Sequence, residues 1–146
     1  MSRAPFTTVG GLARRVGTMV AERHLALARS RDNRLRLAHL RIFSMLMDGP
    51  LRAVHIAARL AATKQTVGPV IDELVAWNYL TRTVDPRDRR ARILDFTDEG
   101  RDLVDALVSL ADEMEDEWRA LLGPDVLETC RTALWRIIDS QNPLSP

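Results

Sequence analysis

AVHIAARLAATKQTVGPVIDELVAWNYLTRTVDPRDRRARILDFT, residues 53–97, is the stretch whose reading decides the fold. Ile56, Ala57 and Leu60 recur at helical spacing, Thr63 suits an N-cap, and Val67, Val70, Ile71 and Leu74 lay a second apolar stripe after a short break. Two helices joined this tightly must cross at a steep angle. Asn78 follows the last apolar turn, where a left-handed residue is wanted and Asn substitutes for Gly, so helix gives way to strand. Leu80 to Val84 and Ala91 to Phe96 are short β-branched or alternating runs, separated by DPRDRR, whose Pro86 and aspartates favour a turn. Two short helices followed by a hairpin with a cationic tip describe a winged helix-turn-helix, a fold mainly α with a small β-wing. In such a motif the second helix offers its polar N-terminal face, here Thr63, Lys64, Gln65, Thr66 and Gly68, to a DNA major groove.

Long amphipathic helices flank this centre. Residues 1–7 read as a frayed end, and from about Thr8 to Arg29 the positions Val9, Leu12, Val16, Met19, Val20 and Leu27 make one stripe. SRDN, residues 30–33, breaks the pattern. A second helix then carries Leu37, Leu40, Phe43, Leu46 and Met47 until Gly49 and Pro50 stop it. Beyond the wing, Thr97 is an N-cap, with Asp98 and Glu99 in a first turn that favours acids. The helix it opens runs through Leu103, Leu107, Leu110, Met114, Trp118 and Leu122 to Gly123 and Pro124, some 35–40 Å at about 1.5 Å per residue. A last helix, about residues 125–140, presents Val126, Leu127, Cys130, Leu134, Ile137 and Ile138, before PLSP. One reader domain offers too little apolar surface to cover these stripes, which predicts a two-fold dimer. The expected organisation is a single unit, with 1–34 and 110–146 as dimerisation helices around a winged region at 35–109.

The 146 residues, 46% hydrophobic and 28% charged, describe a soluble globular protein, and the lone Cys130 excludes a disulfide framework and any CxxC metal or redox spacing. No apolar run reaches membrane-spanning length, and MSRAPFTT lacks the apolar core of a signal peptide, so a cytoplasmic protein without a membrane partner is expected. A net charge of +1 hides strong segregation. Residues 3–41 hold nine arginines against Glu22 and Asp32, a net +7; residues 97–128 hold eleven acids against two arginines, a net −9; residues 81–92 carry five arginines against two aspartates, a net +3. Basic surface beside a groove reader is what phosphate neutralisation requires.

DPRDRR, followed by a short strand and then TDEG opening a long helix, resembles the wing of the MarR (multiple antibiotic resistance regulator) family. TKQTVGPVIDELVAWNYLTR is similar to that family's recognition helix and its run into the wing; the resemblance covers roughly residues 35–110. It implies a dimer whose terminal helices interlock beneath two winged readers. It places Arg90 where the family's guanidinium enters the minor groove and Asp88 where that arginine is braced, with Asp85 and Arg87 stiffening the turn. A narrow groove concentrates negative potential and suits the planar, lightly hydrated guanidinium. Arg82 and Arg92 flank the wing, and Arg52 precedes the first reader helix, as expected phosphate contacts. Pro69 departs from the family pattern; it should bend the reader helix, which puts base contacts from the turn around Gly68 in doubt.

The family often binds small aromatic or anionic effectors between dimer base and reader, a region that maps to Met19 and His24 on the first helix and His39 and Met45 on the second. Core packing is the competing reading for all four. His24, His39 and His55 lack metal-ligand spacing, no cofactor is expected, and no nucleophile and base converge, so an enzyme is not expected. Cys130, on an apolar stripe, reads as structural core. The function expected is a dimeric regulator reading an inverted repeat in double-stranded DNA, a repressor relieved by a small molecule. The alternative left open is a winged interaction module that does not read DNA and docks through its acidic helix.

Overall fold

A computed structural model describes residues 7–140, so the N-terminal end read as frayed lies outside it except for Thr7, as does the terminal PLSP. The chain forms α1 (Val9–Arg31), α2 (Leu37–Leu46), α3 (Ala53–Arg59), α4 (Lys64–Ala76), β1 (Leu80–Asp85), β2 (Asp88–Phe96), α5 (Asp98–Leu122) and α6 (Pro124–Ser140). This is a mainly helical, winged helix-turn-helix fold. Residues 7–108 and 109–140 form two compact units, with the boundary inside α5. Helix α1 clusters with the winged region.

Local chemistry sets the element ends. Thr8 Oγ1 accepts the Gly11 N–H at 3.1 Å, Thr63 Oγ1 the Thr66 N–H at 3.1 Å, and Thr97 Oγ1 the Gly100 N–H at 3.0 Å, so three threonines cap α1, α4 and α5. Asn78 ends the α4 region with φ +63°, and its amide donates to Glu99 Oε2 at 2.8 Å, tying the end of one helix to the start of another. Between α3 and α4 the left-handed position is held by Ala61, φ +49°, a residue with no side chain to reward that conformation. Gly100 answers a steric need: a Cβ there would stand 2.1 Å from the Tyr79 carbonyl oxygen. Helix α4 runs unbroken from Lys64 through Pro69 to Ala76.

Within residues 7–108 one buried cluster joins α2 (Ile42, Phe43, Leu46), α3 (Ile56, Ala57), α4 (Val67, Ile71, Leu74), the wing base (Leu80, Leu94, Phe96) and α5 (Leu103, Leu107). Phe43 meets Phe96 and Tyr79 at ring-centroid distances of 5.7 and 6.0 Å. Among the described residues, 109–140 bury only Met114 and Leu127.

Two expectations need correction. The wing turn is tighter than DPRDRR suggested: β1 extends to Asp85 and β2 starts at Asp88, leaving Pro86 and Arg87 as the turn. Asp85 Oδ1 captures the Arg87 N–H at 2.8 Å, and a register shift between Val84 and Asp85 absorbs the extra residues. Cys130 is exposed rather than core, because the apolar face of α6 is uncovered within this single chain, with Trp135 at 59% and Ile138 at 55% exposure. The α1 stripe is bare too, with Val9 at 63% and Met19 at 59%. His39, one of the expected effector positions, is wholly buried, with both ring nitrogens engaged.

Candidate nucleic-acid interface

Helix α4 begins with four exposed polar residues, Thr63, Lys64, Gln65 and Thr66. The hydroxyls of Thr63 and Thr66 lie 2.8 Å apart and satisfy one another. Lys64 and Gln65 have no side-chain partner among the described residues. Gly68, one turn on, leaves open space, since a Cβ there would meet nothing within 4 Å. Its missing side chain serves no packing inside the unit.

In the wing, Leu80 pairs with Phe96, Arg82 with Leu94 and Val84 with Arg92 across the antiparallel ladder. Side chains alternate across the regular ladder, so Arg92 lies on the face that carries Leu94 and Phe96, opposite Ile93, while the register shift leaves residues 89–91 outside that alternation. Arg87, Arg89, Arg90 and Arg92 are all exposed, and their guanidinium groups form no ion pair among the described residues. Arg89 is the member that motif reading passed over. Treating DPRDRR as one loop hid that β2 already begins at Asp88, which places Arg89 on the strand.

The remaining two arginines are committed inside the molecule. Arg52, at the N-cap of α3, donates through Nε to Asp85 Oδ2 at 2.7 Å and sits 3.5 Å from Asp88 Oδ2, so it anchors the wing base to the first reader helix. Asp85 is 7% exposed. The Arg87 N–H and, after it, the Arg52 guanidinium hold its carboxyl below the usual carboxylate range. Arg82 pairs with Asp72 of α4, joining β1 to the reader helix. Asp88 Oδ1 accepts the backbone N–H of Arg90 at 3.1 Å, so Asp88 braces Arg90 through its main chain and leaves the guanidinium free.

The positions expected for an effector are not gathered. Met19 is exposed, Met45 packs against the core, and His24 rests Nδ1 2.7 Å from the Val20 carbonyl and Nε2 3.2 Å from that of Leu107. A separate groove of about 500 Å³ between α1 and α2 is lined by Arg14, Gly17, Ala21, Leu25, Leu37 and Arg41, among others, and by none of the four. Among the described residues no three His, Cys, Asp or Glu side chains group as metal ligands, and no helix is long and apolar enough to cross a membrane.

Residues 35–91, from the α1–α2 turn into β2 as far as Ala91, match the model of the MarR family. The winged region belongs to the MarR family. Rv2011c of Mycobacterium tuberculosis is 27% identical over 130 residues, 89% of this chain and 85% of that one. Among solved structures, the transcriptional regulator Tm0710 from Thermotoga maritima superposes with TM-score 0.64 at 25% identity, covering 92% of this chain and 96% of its own. CouR, a transcriptional repressor bound to a 23-mer DNA duplex, superposes with TM-score 0.70 at 26% identity, covering 94% and 99%. The chain thus has the fold of MarR-family transcription regulators, with the family match spanning both the start of α4 and the wing.

Proposed function

We propose that this protein is a homodimeric regulator that reads an inverted repeat in double-stranded DNA, with the start of α4 in the major groove and the wing in the adjacent minor groove. The observation that carries the reading is the set of four exposed, unpaired wing guanidinium groups beside an exposed polar helix start. Ion pairing inside the molecule normally consumes such charges; these remain available for phosphate and groove contacts. Gln65 is the base reader, able to pair bidentately with adenine, and Lys64 meets phosphate. Thr63 and Thr66 shape the helix start, and bare Gly68 admits the sugar–phosphate backbone. Arg90 enters the minor groove, Arg87, Arg89 and Arg92 meet its walls, and Arg52, Arg82 and Asp88 hold the wing in place.

The dimer follows from the uncovered apolar faces of α1 and α6, which a second copy covers and which set two readers one helical turn apart. By analogy with CouR, a transcriptional repressor, the outcome is repression; the family resemblance suggests its relief by a small aromatic or anionic effector. The test is anisotropy titration of a duplex selected from random sequence by the protein itself, against a scrambled duplex, across a salt series. Specific binding should exceed scrambled binding by about 10³-fold or more, with affinity falling steeply in salt. Equal, salt-insensitive binding to both duplexes would overturn the DNA-reading function.

A further inference from the structure

Asp72 and Glu73 are successive residues on the reader helix, so their side chains diverge by about 100° around its axis. Each lies seven residues, about two turns, beyond a residue at the reading end, Asp72 behind Gln65 and Glu73 behind Thr66. A carboxylate held on either stripe therefore fixes where the reading residue of that stripe points. Arg82 of β1 holds Asp72. Glu73 is held from the other side, by α2: His39 Nε2 lies 2.8 Å from its Oε2, and the Arg36 guanidinium bonds the same oxygen.

His39 is poorly placed for anything but this link. It is fully buried, its Nδ1 accepts the Arg36 backbone N–H at 2.9 Å at the start of α2, and its ring stands edge-on to Trp77 of the segment ending α4 at 5.1 Å. With Nδ1 accepting, the neutral ring carries its proton on Nε2 and donates it to Glu73. The hydrogen bond from His39, then that from Arg36, holds the Glu73 carboxyl below its ordinary range. One ring thus ties the backbone end of α2 to one flank of the reader helix.

We propose that His39 is a positioning residue for DNA reading, fixing the rotation of α4 about its axis by holding Glu73 from the N-terminus of α2. This rests on the DNA-reading function proposed above, and two amide substitutions separate its parts. His39→Asn places an amide oxygen near the Nδ1 position, keeping the α2 cap, but cannot reach Glu73. His39→Gln carries an amide N–H out toward the Nε2 position and restores the link. With the selected and scrambled duplexes, His39→Asn should weaken specific binding about tenfold while scrambled binding and melting temperature stay near wild type; His39→Gln should stay within about threefold. Hydrogen exchange at amides 70–77 of the free protein should quicken in the Asn variant and not in the Gln variant. Wild-type specific binding by His39→Asn would overturn the proposal, and so would parallel loss of specific binding, scrambled binding and melting temperature. Should the wild-type protein fail to discriminate duplexes at all, the DNA-reading function fails, and the exchange comparison alone decides His39: unchanged exchange in the Asn variant refutes its hold on α4.

Discussion

Gly100→Ala sets two physical effects against each other with opposite signs. Gly100 lies in the first turn of α5, where helix propensity alone favours Ala by up to about 1 kcal/mol. Against this, the added Cβ would stand 2.1 Å from the Tyr79 carbonyl oxygen and 3.1 Å from Phe96 Cδ1. The carbonyl is main chain and cannot rotate away, and it already accepts the Thr97 N–H at 3.1 Å at the mouth of the helix. Relieving the clash means moving α5 off the wing base or tilting the Tyr79 peptide, with about 1–3 kcal/mol lost to overpacking and about 1 kcal/mol more if the Thr97 bond breaks. With the Thr97 bond broken the balance is a net destabilisation of about 1–3 kcal/mol, a fall in melting temperature of roughly 3–10 °C for a chain of this size. Thermal melts by circular dichroism at matched protein concentration measure it. A variant as stable as wild type, or more so, would refute the close approach of α5 to Tyr79 and with it the reason for glycine in TDEG.

Asp32 gives a pH-dependent test: its bidentate bond to Arg34 holds the carboxyl at about 2 against an ordinary 3.8, so its stabilisation is complete above about pH 5 and is lost as pH falls toward 2. The two values span about 2.4 kcal/mol, reduced to about 1 kcal/mol because the Arg34 side chain is 54% exposed and screened by water; Asp32→Asn should cost that much at pH 7 and flatten the urea-midpoint slope between pH 5 and 2. Arg90→Ala should cost about 1–3 kcal/mol of specific DNA affinity by anisotropy with circular dichroism unchanged. Asp88→Ala should also weaken specific binding, because it releases the Arg90 N–H; tighter binding, as removal of an acid from a cationic surface predicts, would eliminate the bracing role. Sedimentation should give about twice the 16.5 kDa chain mass, and Leu134→Asp should dissociate or unfold the protein by placing an unpaired charge in the covered face.

Features set by neighbouring residues were legible in the sequence. The Thr63 and Thr97 caps, the left-handed Asn78, the stop at Gly49 and Pro50, and the break between α5 and α6 at Gly123 each depend on a few successive residues, and periodicity supplied the rest of the element order. Partner choice over longer separations was not legible. Arg52 and Arg82 looked like free cations because Asp85 lies 33 residues beyond one, and Asp72 lies on a different element from the other. Cys130 looked buried because an apolar stripe records that a face is covered, without recording whether its own chain or another copy covers it. The resemblance placed His39 in the effector region, and a histidine in a sequence carries no sign that both ring nitrogens are already engaged, as they are here.

That same division explains how a chain of net charge +1 presents so much free positive charge at one place. Asp85, Asp88 and Asp72 could have paired with three of the outward wing arginines, yet their partners are Arg52, the backbone N–H groups of Arg87 and Arg90, and Arg82. A carboxylate that accepts a backbone N–H stiffens the turn without taking up the guanidinium of that residue. Three aspartates thereby hold the shape of the wing and its seat on α3 and α4, while Arg87, Arg89, Arg90 and Arg92 keep their charge outward. Exchanging the roles, for instance by pairing Arg90 with Asp88 through side chains, would preserve the sequence composition and the net charge of the wing while removing a free cation from its exposed surface. The acids are thus the elements that decide which arginines keep a free guanidinium on the wing.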